Sequence, residues 1–527
     1  MNRGLGALLC AASLLALPAS ARVVLVGVDG ASWSVIDPLL AAGELPSIAA
    51  VAERGIAAEL EAVEPVNSPT VWTSIATGRS PEAHGVTDFL KRSVSVQVPT
   101  IFERLAAQGK RVGTYEYLVT WPPRPLPGGF VIPGWLRRDE SVTPADVFER
   151  AGLPKYRYSL DGLASREDYV ENSRKELAHK AAHWNALAGA FDLDVGAVTF
   201  YSVDGLSHRF WHDSFPEQFD EGVPPPEERY ANLIPATMIG IDRAIGEIAG
   251  ALGPEDSLLV VSDHGFKAGE DGLRRVWSSN LAPSLARAGL LPERDGFRIV
   301  SQFSVVLLRV HPGPFETRDP ILERLTGLFE SARTAEGESL YAVDVIDMVE
   351  RPAGSQRPLL RRLRQWAVRL ILRRFYHIEL DPNAHAYLLV RPRSEVFEAA
   401  WPDEAVEIAG TTLPISEIVF ADGFSGTHHP IGIFLAAGAP IRHLVEREKV
   451  SVLEVAPLLA YLAGAEIPDD LEGSFLEHWI RSEHLAAHPA LAASAEDLPH
   501  LPERDRPPAS GGDSDLIERL RSMGYIE

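Results

Sequence analysis

The chain has 527 residues, of which 46% are hydrophobic, and it carries a formal net charge of −23. A chain of this length and content can bury a large core, as one large domain with insertions or as two to three domains. The acidic balance argues against a nucleic-acid-binding surface, since such surfaces need lysine and arginine to displace counterions from phosphates. It also repels anionic substrates, so a phosphate-binding site here must carry its own positive charge, which bound divalent cations can supply.

The first 21 residues have the pattern of a secretory signal peptide. A basic start at Arg3 is followed by an apolar stretch over residues 5–17 and by small residues at positions 19–21. The stretch is too short to span a bilayer, and a buried first strand or helix is the alternative interpretation. We therefore expect an exported protein, periplasmic or extracellular, that loses Cys10, its only cysteine, with the signal.

After this segment, short runs rich in valine, isoleucine and leucine alternate with longer helix-like segments. That order predicts an α/β fold in which helices cover both faces of a mostly parallel sheet. The candidate strands are residues 23–28, 197–202, 258–262 and 431–436, and the candidate helices are residues 41–60, 101–112, 165–193 and 236–252.

The alternating pattern loosens between residues 271 and 384, where we expect an inserted cap region. Residues 22–270 and 385–480 would then form one discontinuous catalytic domain, whose sheet resumes at Ala386. Residues 481–527 have the composition of a poorly ordered tail that closes with a short helix.

One segment of the insertion is strongly basic. Seven arginines between Arg357 and Arg374 accompany apolar residues at helical spacing, which predicts a basic amphipathic helix over residues 357–376. Two interpretations are open for this helix. It either packs its apolar stripe on its own domain or makes weak contact with an anionic membrane surface.

Each of the four candidate strands has a residue of a metal-binding type close to one end. In an open parallel sheet, the functional crevice lies beyond the carboxyl ends of the strands. A single aspartate there is more often a cap or turn residue, and a lone histidine is more often packed or on the surface. Together they predict a site for two divalent metal ions, for which mixed nitrogen and oxygen donors favour zinc over manganese. The residues are Asp29, Asp204, His208, Asp263, His264 and His428, with His212 as a spare.

A polar cluster over residues 67–74 is the candidate source of a nucleophile. A serine or threonine at a helix start is most often a cap, but the same position offers amide donors and a favourable dipole to a phosphate. A hydroxyl bound to a metal can lose its proton near neutral pH and attack phosphorus. On spacing alone, Ser68 and Thr70 compete for this role.

Taken in order, these segments resemble the alkaline phosphatase superfamily, and within it the type I phosphodiesterase and nucleotide pyrophosphatase branch. The resemblance covers most of residues 22–480, and its motifs are specific as an ordered set. The segments that carry it are Val24-Leu25-Val26-Gly27-Val28-Asp29-Gly30, residues 68–78 continuing to Pro81 and His84-Gly85, Asp204 to His208 with Phe210-Trp211, Ser262-Asp263-His264-Gly265-Phe266 and Gly426-Thr427-His428.

The resemblance implies an alkaline phosphatase-like three-layer sandwich with an inserted cap. It also implies a two-metal hydrolase that acts on a small phosphorylated substrate through a covalent phosphoserine. Ser68, counted back from Thr77-Gly78, falls at the nucleophile position. In the implied ligand sets, Asp204, His208 and His428 hold one zinc ion, and Asp29, Asp263, His264 and Ser68 hold the other.

Two further functions stay open at this point. One is a phospho-group transferase or mutase on the same scaffold, and the other is a non-catalytic, metal-stabilised binding protein at the envelope. A sulfatase is disfavoured, because the sulfatase motif needs proline and arginine where this chain has Thr70 and Trp72. The substrate-binding residues and the leaving group are not indicated by the sequence.

Overall fold

The computed structural model describes most of the chain. The first 20 residues of the predicted signal, the predicted basic helix and the predicted C-terminal helix lie outside the described residues. The described residues are 21–160, 166–220, 225–269, 274–279, 281–292, 294–302, 306–311, 318–348, 380, 384–393, 395–397 and 404–501.

The strands form one large sheet and several small ones. The large sheet contains the four runs predicted as strands, each within two residues of its expected limits. In chain order the strands are β1 (Val23–Val28), β2 (Ile56–Glu61), β3 (Val112–Tyr117), β4 (Phe130–Pro133), β5 (Val195–Phe200), β6 (Ser257–Val261), β7 (Gly265–Ala268), β8 (Arg274–Ser279), β9 (Phe297–Gln302), β10 (Val306–Val310), β11 (Arg333–Thr334), β12 (Tyr341–Asp347), β13 (Ala386–Pro392), β14 (Ala405–Ile408), β15 (Thr411–Pro414), β16 (Val419–Phe424), β17 (Gly426–His429), β18 (Ile431–Gly438), β19 (Glu448–Ser451), β20 (Ile467–Pro468) and β21 (Ala492–Ala493).

The helices account for most of the segments between these strands. The helices are α1 (Trp33–Ala41), α2 (Pro46–Arg54), α3 (Ser68–Thr77), α4 (Pro81–His84), α5 (Ile101–Ala107), α6 (Val147–Arg150), α7 (Arg166–Phe191), α8 (Ser202–Ser214), α9 (Leu233–Gly250), α10 (Leu281–Arg287), α11 (Arg318–Glu330), α12 (Ile415–Ile418), α13 (Val455–Leu462) and α14 (Ser482–Ala487), with short 3-10 turns at Ser93–Ser95, Pro216–Gln218, Glu228–Tyr230, Val452–Glu454 and Glu477–Trp479.

The large sheet is mostly parallel, as predicted. Its strand order is β19-β2-β18-β6-β1-β5-β3-β4. Strand β18 runs antiparallel to both of its neighbours, β6 and β2, while the other neighbouring pairs are parallel. The sequence predicted a mostly parallel sheet and assigned no direction to the run at residues 431–436. A continuous apolar run indicates a strand that is buried on both faces, as β18 is. It does not indicate whether that strand runs parallel or antiparallel to its neighbours.

Helices cover both faces of the large sheet. In β5, Thr199 and Gly196 are three residues apart, so they face opposite sides of the sheet. Trp72 of α3 packs against Gly27, the partner of Thr199 in β1, and Trp184 of α7 packs against Gly196. Helices α3 and α7 therefore lie on opposite faces, and the large sheet is the middle layer of three.

One predicted helix is wrong in its second half. Helix α2 ends at Arg54, and the remainder of the predicted segment 41–60 forms most of strand β2. Ile56, Ala58 and Leu60 are buried there, with less buried residues between them. This alternation fits a strand that buries one face against its neighbours, and tertiary pairing outweighs the helix propensity of alanine and glutamate.

A second hydrophobic core forms between residues 285 and 418. It is built on the sheet β12-β13-β10-β9, with α11 packed on β12 and β13. The prediction that the large sheet resumes at Ala386 is wrong, because β13 pairs with β10 and β12. A buried apolar run predicts a strand, but it does not indicate which other strand that strand pairs with.

Within the described part of the chain, no single helix is long and apolar enough to cross a membrane. One helix pair, α1 and α2, meets the length and composition criterion together but is bent by 97°.

Candidate metal centre

The fold brings the predicted acidic residues and histidines to one edge of the large sheet. Asp29 directly follows β1, Asp263 lies just beyond β6, and Asp204 lies in the first turn of α8 after β5. His428 lies in β17, just before β18, and it reaches the same edge because β18 is antiparallel. The antiparallel direction of β18 therefore explains how a residue before this strand meets residues that follow the parallel strands.

Backbone hydrogen bonds fix these carboxylates relative to one another. The amide of Asp29 donates to Phe200 O at 2.9 Å, and the amide of Asp204 donates to Asp29 O at 3.1 Å. The amide of Gly30 donates to Asp263 Oδ1 at 3.3 Å. Trp72 Nε1 donates to Asp29 Oδ2 at 3.0 Å. The site is thus held by two strand ends, one helix start and one indole.

The three histidines are oriented by backbone carbonyl oxygens. His208 Nδ1 lies 3.3 Å from Gly426 O, and His428 Nδ1 lies 3.0 Å from Val66 O. His264 Nδ1 lies 3.1 Å from the oxygen of the next residue. Since a carbonyl only accepts, we assign the proton of each ring to Nδ1, which leaves the three Nε2 atoms unprotonated.

These Nε2 atoms converge with the carboxylates on a buried space. Asp204 Oδ1 lies 3.4 Å from the Nε2 atoms of both His208 and His428. His264 Nε2 lies 3.3 Å from Asp263 Oδ2 and 3.6 Å from Asp29 Oδ1. In addition, the ring of His264 stacks on that of His428 with centroids 3.6 Å apart, so the two groups share a wall.

The electrostatics of the centre are those of crowded carboxylates. Burial, followed by Asp263 and Asp204, raises the pKa of Asp29 well above its usual value. Burial and the charge of Asp204 raise the pKa of Asp263 to about 7. Burial also acts upward on Asp204, but the imidazoles beside it outweigh burial and hold its pKa well below the usual range. Burial lowers the pKa of His264, which keeps its ring neutral, the form that binds cations.

The donor set fits divalent cations. The Nε2 atoms of His208 and His428 lie 3.1 Å apart, and two unprotonated nitrogens at that distance repel unless a proton or cation lies between them. Asp263 Oδ2 is buried and accepts no hydrogen bond from the described residues. Possible ligand atoms lie within 4.8 Å of one another in two groups, Asp204 with His264 and His428, and Asp29 with Asp263 and His264.

The two hydroxyl candidates differ in their surroundings. Ser68 Oγ lies 3.4 Å from both Asp29 Oδ1 and His264 Nε2. Thr70 Oγ1 instead donates to the side chain of Asn67 at 2.7 Å, and the Thr70 amide donates to the same oxygen. Asn67 is thereby the N-cap of α3, and Ser68 is its first residue. The geometry brings Ser68 to the centre and occupies Thr70 in capping.

His212 does not belong to the centre. Its ring packs edge-on against Phe219, with centroids 4.8 Å apart. Neither His212 nor His208 is in the two groups of possible ligands among the described residues, but His208 Nε2 lies 3.4 Å from Asp204 Oδ1. Sequence reasoning also missed Trp72 as a partner of Asp29, because the two are 43 residues apart. The tryptophan lies one helical turn after Ser68, which is a signal only once α3 is known to begin there.

A family model for type I phosphodiesterases and nucleotide pyrophosphatases matches residues 23–344. The chain belongs to this family. As a type I phosphodiesterase family member, it is a hydrolase of phosphoric esters. The matched segment contains Asp29, Ser68, Asp204 and Asp263, whereas His428 lies beyond it.

This family member is also similar in fold to several solved structures. Human ectonucleotide pyrophosphatase/phosphodiesterase 5 is 16% identical, with 88% of this chain and 100% of that chain covered and a TM-score of 0.39. The murine protein, in an inactive form in complex with AMP, is 15% identical, with 88% of this chain and 100% of that chain covered and a TM-score of 0.37. Phosphonoacetate hydrolase from Sinorhizobium meliloti, in complex with phosphonoformate, is 17% identical, with 84% of this chain and 96% of that chain covered and a TM-score of 0.40. No curated protein sequence matches the chain.

Proposed function

We propose that this phosphodiesterase family member is an exported two-metal hydrolase of small phosphoric esters, in which Ser68 is the nucleophile and becomes transiently phosphorylated. The observation that carries the proposal is the convergence of three Nε2 lone pairs and three carboxylates beside one serine hydroxyl. Its first ligand set is Asp204, His208 and His428, and its second is Asp29, Asp263, His264 and Ser68.

Nitrogen and oxygen donors together favour zinc for both positions, with manganese as the alternative. When bound, such cations polarise phosphoryl oxygens and lower the pKa of a coordinated hydroxyl. They also supply positive charge to a protein whose net charge of −23 otherwise repels an anionic ester.

The protein's own residues position the reacting groups. Ser68 Oγ donates to Asp29 Oδ1 before reaction, which points the oxygen lone pairs away from that carboxylate. Because Ser68 is the first residue of α3, the helix dipole favours a phosphoryl group placed beside it. The side chains of His208 and His428 are 12% and 14% exposed, whereas Asp29 and Ser68 are each 1% exposed. The ester therefore enters the site from the side of the two histidines.

The proposed reaction has two steps. Ser68 Oγ forms a bond to phosphorus while the bond from phosphorus to the leaving oxygen breaks, so the alcohol departs and a phosphoserine remains. Water then attacks the phosphoserine, releases the phosphoryl product and restores the serine hydroxyl. Water as the second acceptor separates this reaction from a transferase or mutase.

The test is a matched pair of variants at the two hydroxyls. Ser68→Ala should lower the hydrolysis of nitrophenyl phosphate mono- and diesters by at least ~1000-fold, as expected for loss of a nucleophile, while binding of two zinc ions persists. Thr70→Val removes the other hydroxyl and should keep substantial activity. Full activity in Ser68→Ala would contradict the proposal, and loss in Thr70→Val alone would assign the role to Thr70. Release of alcohol and phosphate without an added acceptor tests hydrolysis against transfer.

Export is part of the proposal and depends on the predicted signal over residues 1–21. Expression of the full chain followed by cell fractionation tests it. Recovery of uncleaved protein in the cytoplasm alone would refute export and leave the chemistry untouched.

A further inference from the structure

A second group of charged side chains lies close to the candidate metal centre. Lys180, Glu116 and Glu176 are each fully buried, and Lys180 Nζ contacts both carboxylates, with Glu116 Oε2 at 2.5 Å. Lys180 Nζ also donates to Thr199 O at 2.7 Å. Burying three charges is costly, so their retention at one point calls for an account beyond packing. The surrounding rings, with centroids 5.0–5.9 Å from Nζ, are Tyr115, Tyr158, Phe200 and Tyr201.

Glu116 reaches this position through an unusual backbone conformation. Its φ is 60°, in the left-handed region that residues with side chains rarely adopt. The register between β3 and β4 shifts at the same place, between Tyr115 and Tyr117. Such an irregularity re-aims a side chain, and here it directs the carboxylate of Glu116 to Lys180. Glu116 thus combines an unfavourable backbone conformation with a buried carboxylate, and such a combination is typical of a functional constraint.

Glu176 uses its carboxylate to cap another helix. The amide of Ser202 donates to Glu176 Oε2 at 2.8 Å, and the amide of Tyr201 lies 3.1 and 3.0 Å from the two carboxylate oxygens. The Ser202 hydroxyl donates to the same carboxylate. Tyr201 is at the N-cap of α8 and has no capping oxygen of its own, so a side chain of α7 satisfies the helix start.

The capped turn carries part of the metal centre. Asp204 lies in the first turn of α8, its amide donates to Asp29 O, and His208 follows one turn later. Any movement of the helix start therefore moves these two ligand candidates relative to Asp29. We propose that Glu176, held by Lys180 and Glu116, is a positioning residue that sets cation affinity at the group of Asp204, His208 and His428. This inference rests on the proposed two-metal function.

Glu176→Gln is the sharpest variant, because it keeps the shape of the side chain. An amide offers one acceptor oxygen where the carboxylate offers two, and it brings two N–H donors toward Lys180 and the amides of the helix start. The turn then loses acceptors and shifts. By analogy with other residues that orient metal ligands, we expect zinc affinity at one of the two positions to fall by about 10–100-fold.

The other position supplies an internal comparison, and Asp242→Asn supplies a matched control. Asp242 is also a buried carboxylate on a neighbouring helix that caps a helix start, accepting from the amides of Ser47 and Ile48 at 3.2 and 2.7 Å. The helix that it caps, α2, carries no residue of the metal centre. Both variants lose a buried cap, but only Glu176→Gln should change zinc binding.

Calorimetric titration of the chelated full chain with zinc measures both affinities without turnover. One weakened and one unchanged site in Glu176→Gln, with two unchanged sites in Asp242→Asn, is the expected result. Two unchanged sites in Glu176→Gln, or equal weakening of both sites in both variants, would overturn the inference. If Glu176→Gln does not fold, Ser202→Ala removes one donor to Glu176 and should weaken the same single site by a smaller factor; no change would overturn the inference. A wild-type protein without two sites would instead reject the proposed function.

Discussion

Trp72 contributes to the candidate metal centre through a hydrogen bond to Asp29. Its indole nitrogen donates to Asp29 Oδ2 at 3.0 Å, while its ring is fully buried against β1. Trp72→Phe keeps most of the ring and removes the donor, so the Asp29 carboxylate loses the contact that orients it. We expect zinc affinity at the Asp29 group to fall by about 10–100-fold, measured by calorimetric titration.

Trp184→Phe is the matched control for Trp72→Phe. Trp184 is equally buried on the opposite face of the large sheet, against Gly196 of β5. The same loss of ring volume there should lower stability and leave zinc affinity unchanged. Equal zinc affinities in the two variants would show that the indole hydrogen bond does not orient Asp29.

His84 gives a pH dependence that is separate from the metal centre. Burial lowers the pKa of His84 from 6.5 to about 4, and its Nδ1 accepts from the Val86 amide at 3.1 Å. We therefore assign its proton to Nε2, which lies 2.8 Å from Ser74 Oγ. The unfolded chain takes up a second ring proton at a higher pH than the folded chain does. The contribution of neutral His84 to stability is thus complete above about pH 6.5 and declines as the pH falls toward 4.

His84→Gln should remove this part of the pH dependence. The free energy of unfolding, measured with urea and chelator at pH 7.5 and at pH 5, should fall less between the two pH values in the variant than in the wild type. The comparison cancels the titration of the other groups, which both proteins share. An equal fall in both proteins would contradict a neutral, buried His84.

At the scale of secondary structure, the end of α3 depends on one glycine. Gly78 follows Thr77 with a φ of 63°, and a Cβ at this position would lie 3.0 Å from Ala456 Cβ in α13. Gly78→Ala combines left-handed strain of about 1–2 kcal/mol with this close contact. We expect the free energy of unfolding to fall by roughly 2 kcal/mol or more in urea titrations.

Gly152→Ala separates the two causes. Gly152 has a similar φ of 67°, but a Cβ there would meet nothing within 4 Å. Its loss of stability should equal the backbone strain alone and be smaller than that of Gly78→Ala. If the two losses are equal, the contact between α3 and α13 is not tight.

The elements that sequence predicted well are those with an unambiguous pattern. The runs at β1, β5 and β6 are short, apolar and followed by polar residues, and each is a strand near its predicted limits. Strand β2 was missed because alanine and glutamate dominate it. The direction of β18 and the partner of β13 depend on hydrogen bonds to distant segments, which composition does not encode.

The sequence indicated some residues of the candidate site and not others. Residue type and position after strands were enough to select Asp29, Asp204 and Asp263. The choice between Ser68 and Thr70 needed the start of α3, since Ser68 faces Asp29 there while the hydroxyl of Thr70 donates to Asn67. Glu176 could not be found from sequence, because a glutamate in the middle of a long helix looks like any surface residue until its burial is known.

At the scale of the whole molecule, the candidate metal centre gathers three buried aspartates at one point of the described interior. Asp29, Asp204 and Asp263 are buried within one cluster in a chain that is already strongly acidic. Buried carboxylates without enough positive charge oppose folding, and bound cations relieve this cost. The stability of the protein should therefore depend on its metal content.

Removal of metal by a chelator should lower the melting temperature, and zinc should restore it. For each position, zinc at 100 times its dissociation constant should add about 2.7 kcal/mol to the free energy of unfolding.

Asp263→Asn should change the stability of the protein in opposite directions without and with metal, because Asp263 Oδ2 is buried without a hydrogen bond from the described residues. In chelator the variant should be more stable than the wild type by roughly 1–3 kcal/mol, and in zinc it should be less stable. Ser68→Ala keeps all three carboxylates and should follow the wild type in chelator. Identical melting curves of the wild type with chelator and with zinc would contradict the metal centre.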